Sequence, residues 1–287
     1  DRSPTGAGRA AEAAVSADFS SVARESVQHA EGEIVDLLAK TFDKEGGTHL
    51  QKGYKVYKNL DTVLSVASTN PRDVLALKAA VGSMDAEIIK VLDVLSKRKL
   101  RFRKLAAKKY KMPTNPTGSA WNKWWRVASK HPPESDEFRK AHYDYFKALS
   151  DYDHSLMMQI HYMQAIIAVM GRQRKRHLDV ATYADMAVKS TERFLTSPEH
   201  TPLIAFGAVR TPVDVRAHIF AVNQSVHEIP GAARSVAAEQ RKLSNVAKRW
   251  KRQLESERAH NKIWLDHARR SFMRSTLKKY LPKLGGG

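Results

Sequence analysis

Cysteine is absent from the 287-residue chain. Its absence excludes disulfide bonds, cysteine-ligated zinc, iron–sulfur clusters and thiol nucleophiles. Long apolar runs are also missing. The most apolar segment, residues 156–170, is shorter than the roughly 20 residues that a membrane-spanning helix needs, and Gln159, His161 and Gln164 interrupt it. We therefore interpret this segment as the buried face of a helix.

Signals for β-strands are equally scarce. Alternating β-branched runs are few, and no Asn-Gly or Asp-Gly turn joins two apolar segments. Apolar residues recur instead at the three- and four-residue spacing of helices along almost the whole chain. The sequence therefore predicts an all-α fold, in which long, antiparallel and partly kinked helices form an extended bundle.

Glycine and proline divide this helical pattern into segments. Gly46 and Gly47 are expected to end the first helix, because glycine tolerates the left-handed conformation that closes a helix. A cap at Thr69 or Asn70 before Pro71 is expected to begin another. The resulting helices are expected over residues 19–44, 49–68, 72–111, 134–196, 213–228 and 232–281.

Two further breaks follow from the same residues. The segment 112–119 contains Pro113, Pro116 and Gly118, and it is expected to interrupt the helical pattern. Pro230–Gly231 is expected to separate the last two helices. The predicted organisation is a flexible tail over 1–18, a long-helix bundle over 19–196, a linker over 197–212 and a basic helical region over 213–284.

Positive charge is clustered along the chain. Lys and Arg number 49 against 30 Asp and Glu, which gives a net charge of +19. The segments 97–111, 172–176 and 234–283 hold 28 of these basic residues and only 4 of the acidic ones, so the rest of the chain is net negative. Like charges at helical spacing repel each other, and nine basic residues within 97–111 therefore indicate an anionic partner.

The basic clusters are the candidate binding site for anionic lipid or another polyanion. The segment 97–111 also carries an apolar side, so it is an amphipathic basic helix of the kind that suits membrane surfaces and phosphate backbones. The candidate residues are Lys97, Arg98, Lys99, Arg101, Arg103, Lys104, Lys108, Lys109, Lys111, Arg172, Arg174, Lys175, Arg176, Lys248, Arg249, Lys251 and Arg252.

Three tryptophans lie within five positions, at Trp121, Trp124 and Trp125. They are candidate interface anchors, because indoles settle at a lipid headgroup interface and also dock on partner proteins. Packing at one end of the bundle is the other interpretation, and the more common role of such a cluster.

Catalytic motifs are weak. The chain has no Gly-rich phosphate loop, no GxSxG elbow and no HExxH motif. The pairs Asp151/His154 and Glu257/His260 have the spacing of helical metal ligands, but the second pair lies among charged residues that are typical of a solvent-facing surface. We therefore predict a non-enzymatic protein with no metal or cofactor.

Residues 91–195 resemble the later part of a BAR domain, the crescent-shaped helical dimer that binds curved membranes. The run VLSKRKLRFRKL at 94–105 is similar to the end of a long helix in that family, where basic residues precede the tip. The run FRKAHYDYFKAL at 138–149 is similar to the start of the last long helix. The resemblance implies that residues 97–111 and 172–176 face lipid and that the chain forms a homodimer.

Three functions are compatible with these features. The first is a structural scaffold that docks basic helices on an anionic membrane, with or without shaping it. The second is an accessory subunit of a large mitochondrial membrane complex, such as an ATP synthase or respiratory assembly, in contact with cardiolipin and neighbouring subunits. The third and less favoured is a nucleic-acid-binding, ribosomal-type protein. Residues 1–26 are rich in Ala, Ser and Gly with scattered Arg, which resembles the remainder of a processed transit peptide and predicts a peripheral location at the mitochondrial inner membrane.

Overall fold

The structure, a computed structural model, describes residues 44–69, 73–200 and 212–284. These ranges contain helices and no strand, which confirms the all-α prediction. The predicted tail and the predicted helix over 19–44 lie outside the described residues, apart from Lys44. The helices are α1 (Lys44–Thr69), α2 (Val74–Ala107), α3 (Thr117–Ala128), α4 (Asp136–Thr196) and α5 (Val213–Leu284), with a 3₁₀ turn at Pro198–His200 after α4.

The chain divides into two compact units. Among the described residues, the four-helix unit contains α1, α2, residues 166–196 of α4 and residues 213–246 of α5. The tryptophan unit contains α3, residues 136–165 of α4 and residues 247–284 of α5. We name the second unit for the five tryptophans of the chain, all of which lie in it.

Each of the four segments in the four-helix unit buries an apolar stripe. Leu60 of α1, Ile88 of α2, Val180 of α4 and Val226 of α5 are all at most 2% exposed. Burial of such a side chain stabilises a fold by about 1.5–3 kcal/mol, so these stripes are the main force that holds the four segments together.

The tryptophan unit has a smaller core that is rich in aromatic rings. Tyr145 and Leu149 of α4 and Ala268 of α5 form its buried centre. The half-buried side chains packed against them are Ala120, Trp121, Trp124, Phe146 and Leu265. Polar contacts fix the same pair of helices, since Arg258 binds Asp153 at 3.1 Å and Asn261 donates to the Leu149 carbonyl at 3.0 Å.

The prediction that Pro230–Gly231 separates two helices is wrong, because α5 continues through both residues. Proline inside a helix removes one backbone hydrogen bond and costs about 3 kcal/mol. The flanking side chains offset this cost, because Val226, Ile229 and Ala233 are at most 1% exposed. The stabilisation from buried side chains on both sides of Pro230 therefore exceeds the cost of a proline inside the helix.

Two other boundaries differ from the sequence prediction. Helix α1 contains Gly46 and Gly47 rather than beginning after them. Helix α2 is capped by Asp73, whose carboxylate accepts a hydrogen bond from the Ala76 amide at 2.9 Å, and not by Thr69. Thr69 instead belongs to α1, where its hydroxyl donates to the Ser65 carbonyl.

The remaining boundaries match the prediction closely. The break over 112–119 lies between α2 and α3, although α2 already ends at Ala107 and α3 begins at Thr117. Helix α4 has the predicted length, and Asp136 and Glu137 occupy its first turn, where the helix dipole favours negative charge. It continues through Gly171 without a break.

Candidate anion-binding surface

A chain of buried polar side chains joins three helices of the four-helix unit. The Arg98 guanidinium of α2 donates to Gln173 Oε1 of α4 at 3.1 Å. One turn further along α4, His177 Nδ1 lies 2.8 Å from the Gln173 carbonyl oxygen and donates to it. Gln240 Nε2 of α5 lies 3.4 Å from the same imidazole nitrogen; this is a packing contact rather than a hydrogen bond, because both nitrogens are donors. Arg98 is 5% exposed and the other three residues are fully buried.

This polar chain brings together basic segments that are far apart in sequence. Arg98 lies within the basic run of α2, Gln173 lies between Arg172 and Arg174 of α4, and Gln240 precedes Arg241 and Lys242 of α5. The cations next to these residues in sequence are therefore brought near the same level of the unit, and the basic run of α2 extends about 15 Å beyond it to Lys108. We call this set the basic belt; its members are Lys97, Lys99, Arg101, Arg103, Lys104, Lys108, Arg172, Arg174, Lys175, Arg241 and Lys242, which are exposed, and Arg176, which is half-buried.

Arg98 does not belong to the exposed surface that its neighbours form. It was expected to face an anionic partner, but it shares the apolar stripe of α2 with Leu95 and Phe102, which are at most 1% exposed. Its guanidinium lies 5.8 Å from the centre of the Phe102 ring, within cation–π distance. The i, i+3, i+7 spacing of these three residues is the sequence signal that places Arg98 inward.

Arg241 and Lys242 were not among the predicted binding residues. The sequence shows them as part of the basic region 234–283, but nothing in the sequence indicates that they lie beside the basic runs of α2 and α4. The contact between Gln240 and His177 supplies that information.

Two members of the belt form ion pairs with acidic residues of their own helices. Lys97 pairs with Asp93 at 2.7 Å, and Lys242 pairs with Glu239 at 2.8 Å. Lys97 and Asp93 are both exposed, and an ion pair between exposed groups contributes at most about 1 kcal/mol, whereas Glu239 is only 8% exposed. The segments 97–108 and 172–176 themselves contain no acidic residue. Positive charge is therefore in excess along both segments.

The other predicted basic residues lie in the tryptophan unit. Lys109 and Lys111 flank Tyr110, whose ring lies 6.0 Å from the ring of Trp250 in an edge-to-face arrangement. Trp250 is flanked in turn by the predicted residues Lys248, Arg249, Lys251 and Arg252. All of them are exposed except Lys251, which is half-buried and pairs with Glu255 at 2.9 Å. These residues form a second basic group, which belongs to the tryptophan unit although Lys109 directly follows Lys108 of the belt in sequence.

The three clustered tryptophans have different environments. Trp121 and Trp124 are half-buried and pack on the core of their unit, with Trp124 6.0 Å from Tyr145 and 5.6 Å from His142 between ring centres. Trp125 is 56% exposed. The packing interpretation therefore describes the first two residues, and only Trp125 is available as an anchor.

His142 lies at the centre of this aromatic packing and is 2% exposed. Burial lowers the pKa of its imidazole, although a hydrogen bond with the Ala268 backbone acts in the opposite direction. His142 is therefore neutral near pH 7, so it adds no charge to the aromatic core.

Glu257 is half-buried and takes part in a hydrogen-bond network. Its Oε1 accepts hydrogen bonds from Asn115 Nδ2 at 2.7 Å and from the Tyr152 hydroxyl at 3.0 Å. Burial raises the pKa of Tyr152 to about 12, and the neighbouring Glu257 carboxylate also contributes to this rise. His260 instead lies with Nδ1 2.9 Å from the Ser256 carbonyl oxygen. The network ties the segment before α3 to α5.

The described residues contain no group of three side chains that could hold a metal ion. Asp151 and His154, the other pair with metal-ligand spacing, are both exposed on α4.

No helix among the described residues is both long and apolar enough to cross a bilayer.

Comparison with protein-family models, with curated proteins and with solved structures finds no match to this chain.

Proposed function

We propose that the protein is a non-enzymatic scaffold that docks its basic helices on an anionic membrane surface. The basic belt is the observation that supports this proposal. Three sequence-distant segments of the four-helix unit carry exposed cations, and buried contacts from Arg98 to Gln173 and from His177 to Gln240 bring these segments together. A broad, rigidly mounted positive surface fits an extended anionic partner better than it fits a small ligand.

The energetics of such a surface are favourable. Each Lys or Arg near an anionic leaflet contributes about 1 kcal/mol, and this attraction decays within a Debye length of about 8 Å at physiological salt. Simultaneous contact by several belt residues therefore yields useful affinity without a pocket. Adsorption makes and breaks no covalent bond, and the mechanism is electrostatic attraction combined with the shape of the surface.

The resemblance of residues 91–195 to BAR domains adds two expectations to the proposal. The chain would form a homodimer, and it would prefer curved vesicles. A mitochondrial location would make cardiolipin the natural anionic lipid. An accessory subunit of a mitochondrial membrane complex would use the same belt against cardiolipin and neighbouring subunits, while a nucleic-acid-binding protein would use it against phosphates.

Co-sedimentation tests the proposal directly. The nuclease-treated protein is mixed with vesicles of phosphatidylcholine alone, or with added cardiolipin, at low and high salt. The variant K99Q/R103Q/R174Q removes three exposed belt charges. At about 1 kcal/mol each, their loss is expected to weaken binding to the cardiolipin vesicles roughly 100-fold.

The control variant K58Q/K78Q/K189Q has the same change in net charge in the same unit, at exposed positions outside the belt. It is expected to bind nearly as well as the wild-type protein. Equal weakening by both variants would show that net charge alone matters and would refute the belt as the binding surface. If neither type of vesicle binds while RNA of similar charge density does, the nucleic-acid function replaces the proposed one.

A further inference from the structure

The tryptophan unit has an apolar patch on its surface. Trp125 of α3 is 56% exposed, and Trp264 and Ile263 of α5 are 47% and 67% exposed. Trp121 lies close to both exposed indoles, with its ring centre 6.2 Å from that of Trp125 and 6.4 Å from that of Trp264, and Ile263 precedes Trp264 in sequence. We call Trp125, Ile263 and Trp264 the indole patch.

The patch has a firm support. Trp121 stacks on Trp125 with an angle of only 11° between the ring planes, and it also lies edge-to-face with the buried Tyr145 at 5.8 Å. Helix α3 itself has no fully buried residue, so the whole helix lies at the surface of its unit. The core-facing tryptophans therefore hold two further indoles in fixed positions toward the outside.

Exposed basic residues lie near these apolar side chains in sequence. Arg126 adjoins Trp125 in α3, Lys262 adjoins Ile263 in α5, and Lys123 and Arg270 lie within two turns on the same helices; all four are exposed. Asp266 is the acidic residue closest in sequence to the patch. Acidic residues around the patch would repel an anionic surface, whereas these four basic residues attract one.

The chemistry of the patch matches the interfacial layer of a bilayer. An indole has an apolar ring and one polar N–H, which is why tryptophan concentrates where headgroups meet acyl chains. Lys and Arg beside such rings keep their charges among the phosphates while the rings enter the apolar layer.

We propose that the indole patch inserts into the headgroup layer of an anionic bilayer and gives the protein a second, apolar contact besides electrostatic adsorption. This inference rests on the proposed membrane function. Because burial of apolar surface does not weaken with salt, the patch accounts for whatever binding persists when the charges are screened.

Tryptophan fluorescence provides the test, because every tryptophan of the chain belongs to the tryptophan unit. The protein is titrated with vesicles of phosphatidylcholine and cardiolipin in which the phosphatidylcholine carries bromine near the top of its acyl chains. Insertion is expected to shift the emission to shorter wavelength and to quench it. The double variant W125A/W264A is expected to lose most of the shift and quenching, and to bind at least tenfold more weakly at high salt.

Two further variants separate insertion from a general loss of apolar surface or of folding. L75A/I89A removes exposed apolar side chains of α2 in the four-helix unit, at 81% and 67% exposure, and it is expected to bind as the wild type does. The single variant W125A, which truncates the more exposed indole, is expected to show an intermediate loss. Circular dichroism and thermal melting of each variant confirm that the helices are retained.

The outcomes distinguish this inference from the function on which it rests. If the wild-type protein binds cardiolipin vesicles without an emission shift, or if W125A/W264A binds as tightly as the wild type at high salt, the indole patch is not inserted and only this inference fails. If the wild type binds no vesicle at all, both fail. A shift with acidic protein or RNA but not with vesicles would also overturn the inference.

Discussion

At the scale of single residues, glycines show how packing determines the effect of one methyl group. Gly53 of α1 is buried, and a Cβ atom at this position would lie 3.0 Å from both methyl groups of Val180 on α4. Gly82 of α2 is exposed, and a Cβ atom there would meet no atom within 4 Å. The same substitution is therefore expected to have opposite effects at the two sites.

Gly53→Ala is expected to lower the free energy of unfolding by about 1 kcal/mol, and Gly82→Ala to raise it by about 1 kcal/mol. Alanine gains about 1 kcal/mol of helix propensity at either site, but overpacking against the stiff, β-branched Val180 costs about 2 kcal/mol at the first. Urea unfolding followed by circular dichroism measures both changes. Equal stabilisation by the two variants would contradict the close approach of α1 to α4.

His177 gives the four-helix unit a pH dependence. Burial lowers the pKa of its imidazole to about 4, with a smaller lowering by the nearby Arg98, although the hydrogen bond to the Gln173 carbonyl raises it. The unfolded chain binds the proton near pH 6.5, and the folded chain binds it only near pH 4. The contribution to stability is therefore complete above pH 6.5 and is lost as the pH falls from 6.5 to 4, by about 3 kcal/mol at most.

The variant His177→Gln is expected to lose less stability than the wild type on acidification over this range. Urea unfolding of both proteins near pH 7 and near pH 4 measures the two losses. Their difference isolates His177, because His142, His161 and Glu87 titrate in both proteins. Identical losses would show that His177 is not buried in the neutral form.

At the scale of helices, periodicity predicted most of what the structure contains. The long helix that ends at Thr196 and the break over 112–119 follow from apolar spacing and from the positions of proline, and both are present. The continuity of α5 through Pro230 could not be predicted in this way. The continuity depends on buried contacts with other helices, and the rule that proline breaks a helix takes no account of such contacts.

Pro230→Ala tests this explanation. The substitution restores one backbone hydrogen bond to the carbonyl of residue 226, and it also removes a buried ring. We expect a net gain of about 1 kcal/mol in the free energy of unfolding, because the backbone term of about 3 kcal/mol exceeds the loss of about two buried methylene groups.

Pro133→Ala is the matched control for this substitution. Pro133 is exposed and lies in the turn before α4, where the same change removes a restraint on the unfolded chain. We expect a loss of a few tenths of a kcal/mol there. A loss of stability at Pro230 as well would mean that its ring, rather than the surrounding stripe, holds that part of α5.

At the scale of the whole molecule, the sequence shows the number of basic residues but not which of them lie close together in the fold. The clustering of charge along the chain indicated an anionic partner, and each basic run was identified. Their assembly into the basic belt depends on Arg98, which the sequence analysis placed on the outside. Arg98 is buried at helical spacing from Leu95 and Phe102. Its burial explains why the predicted exposure of Arg98 is wrong, and its contact with α4 explains how the basic runs come together.

The belt leads to a prediction for the intact protein. With a net charge of +19 concentrated on part of the chain, binding to cardiolipin vesicles is expected to weaken by at least tenfold when the salt concentration rises from about 0.05 to about 0.3 M. Vesicle flotation at a series of salt concentrations measures the dependence. An affinity that is insensitive to salt would argue against electrostatic adsorption as the main attraction.

The buried polar chain also determines which alignment of helices the fold accepts. Helices α2, α4 and α5 meet largely through apolar side chains, whose ridges recur along each helix. A shift of one turn would separate Arg98 from Gln173 and leave a charge buried without its hydrogen bond, at a cost of several kcal/mol. Replacing these polar residues with leucine would then give a more stable protein with several competing registers, in which the cations no longer meet.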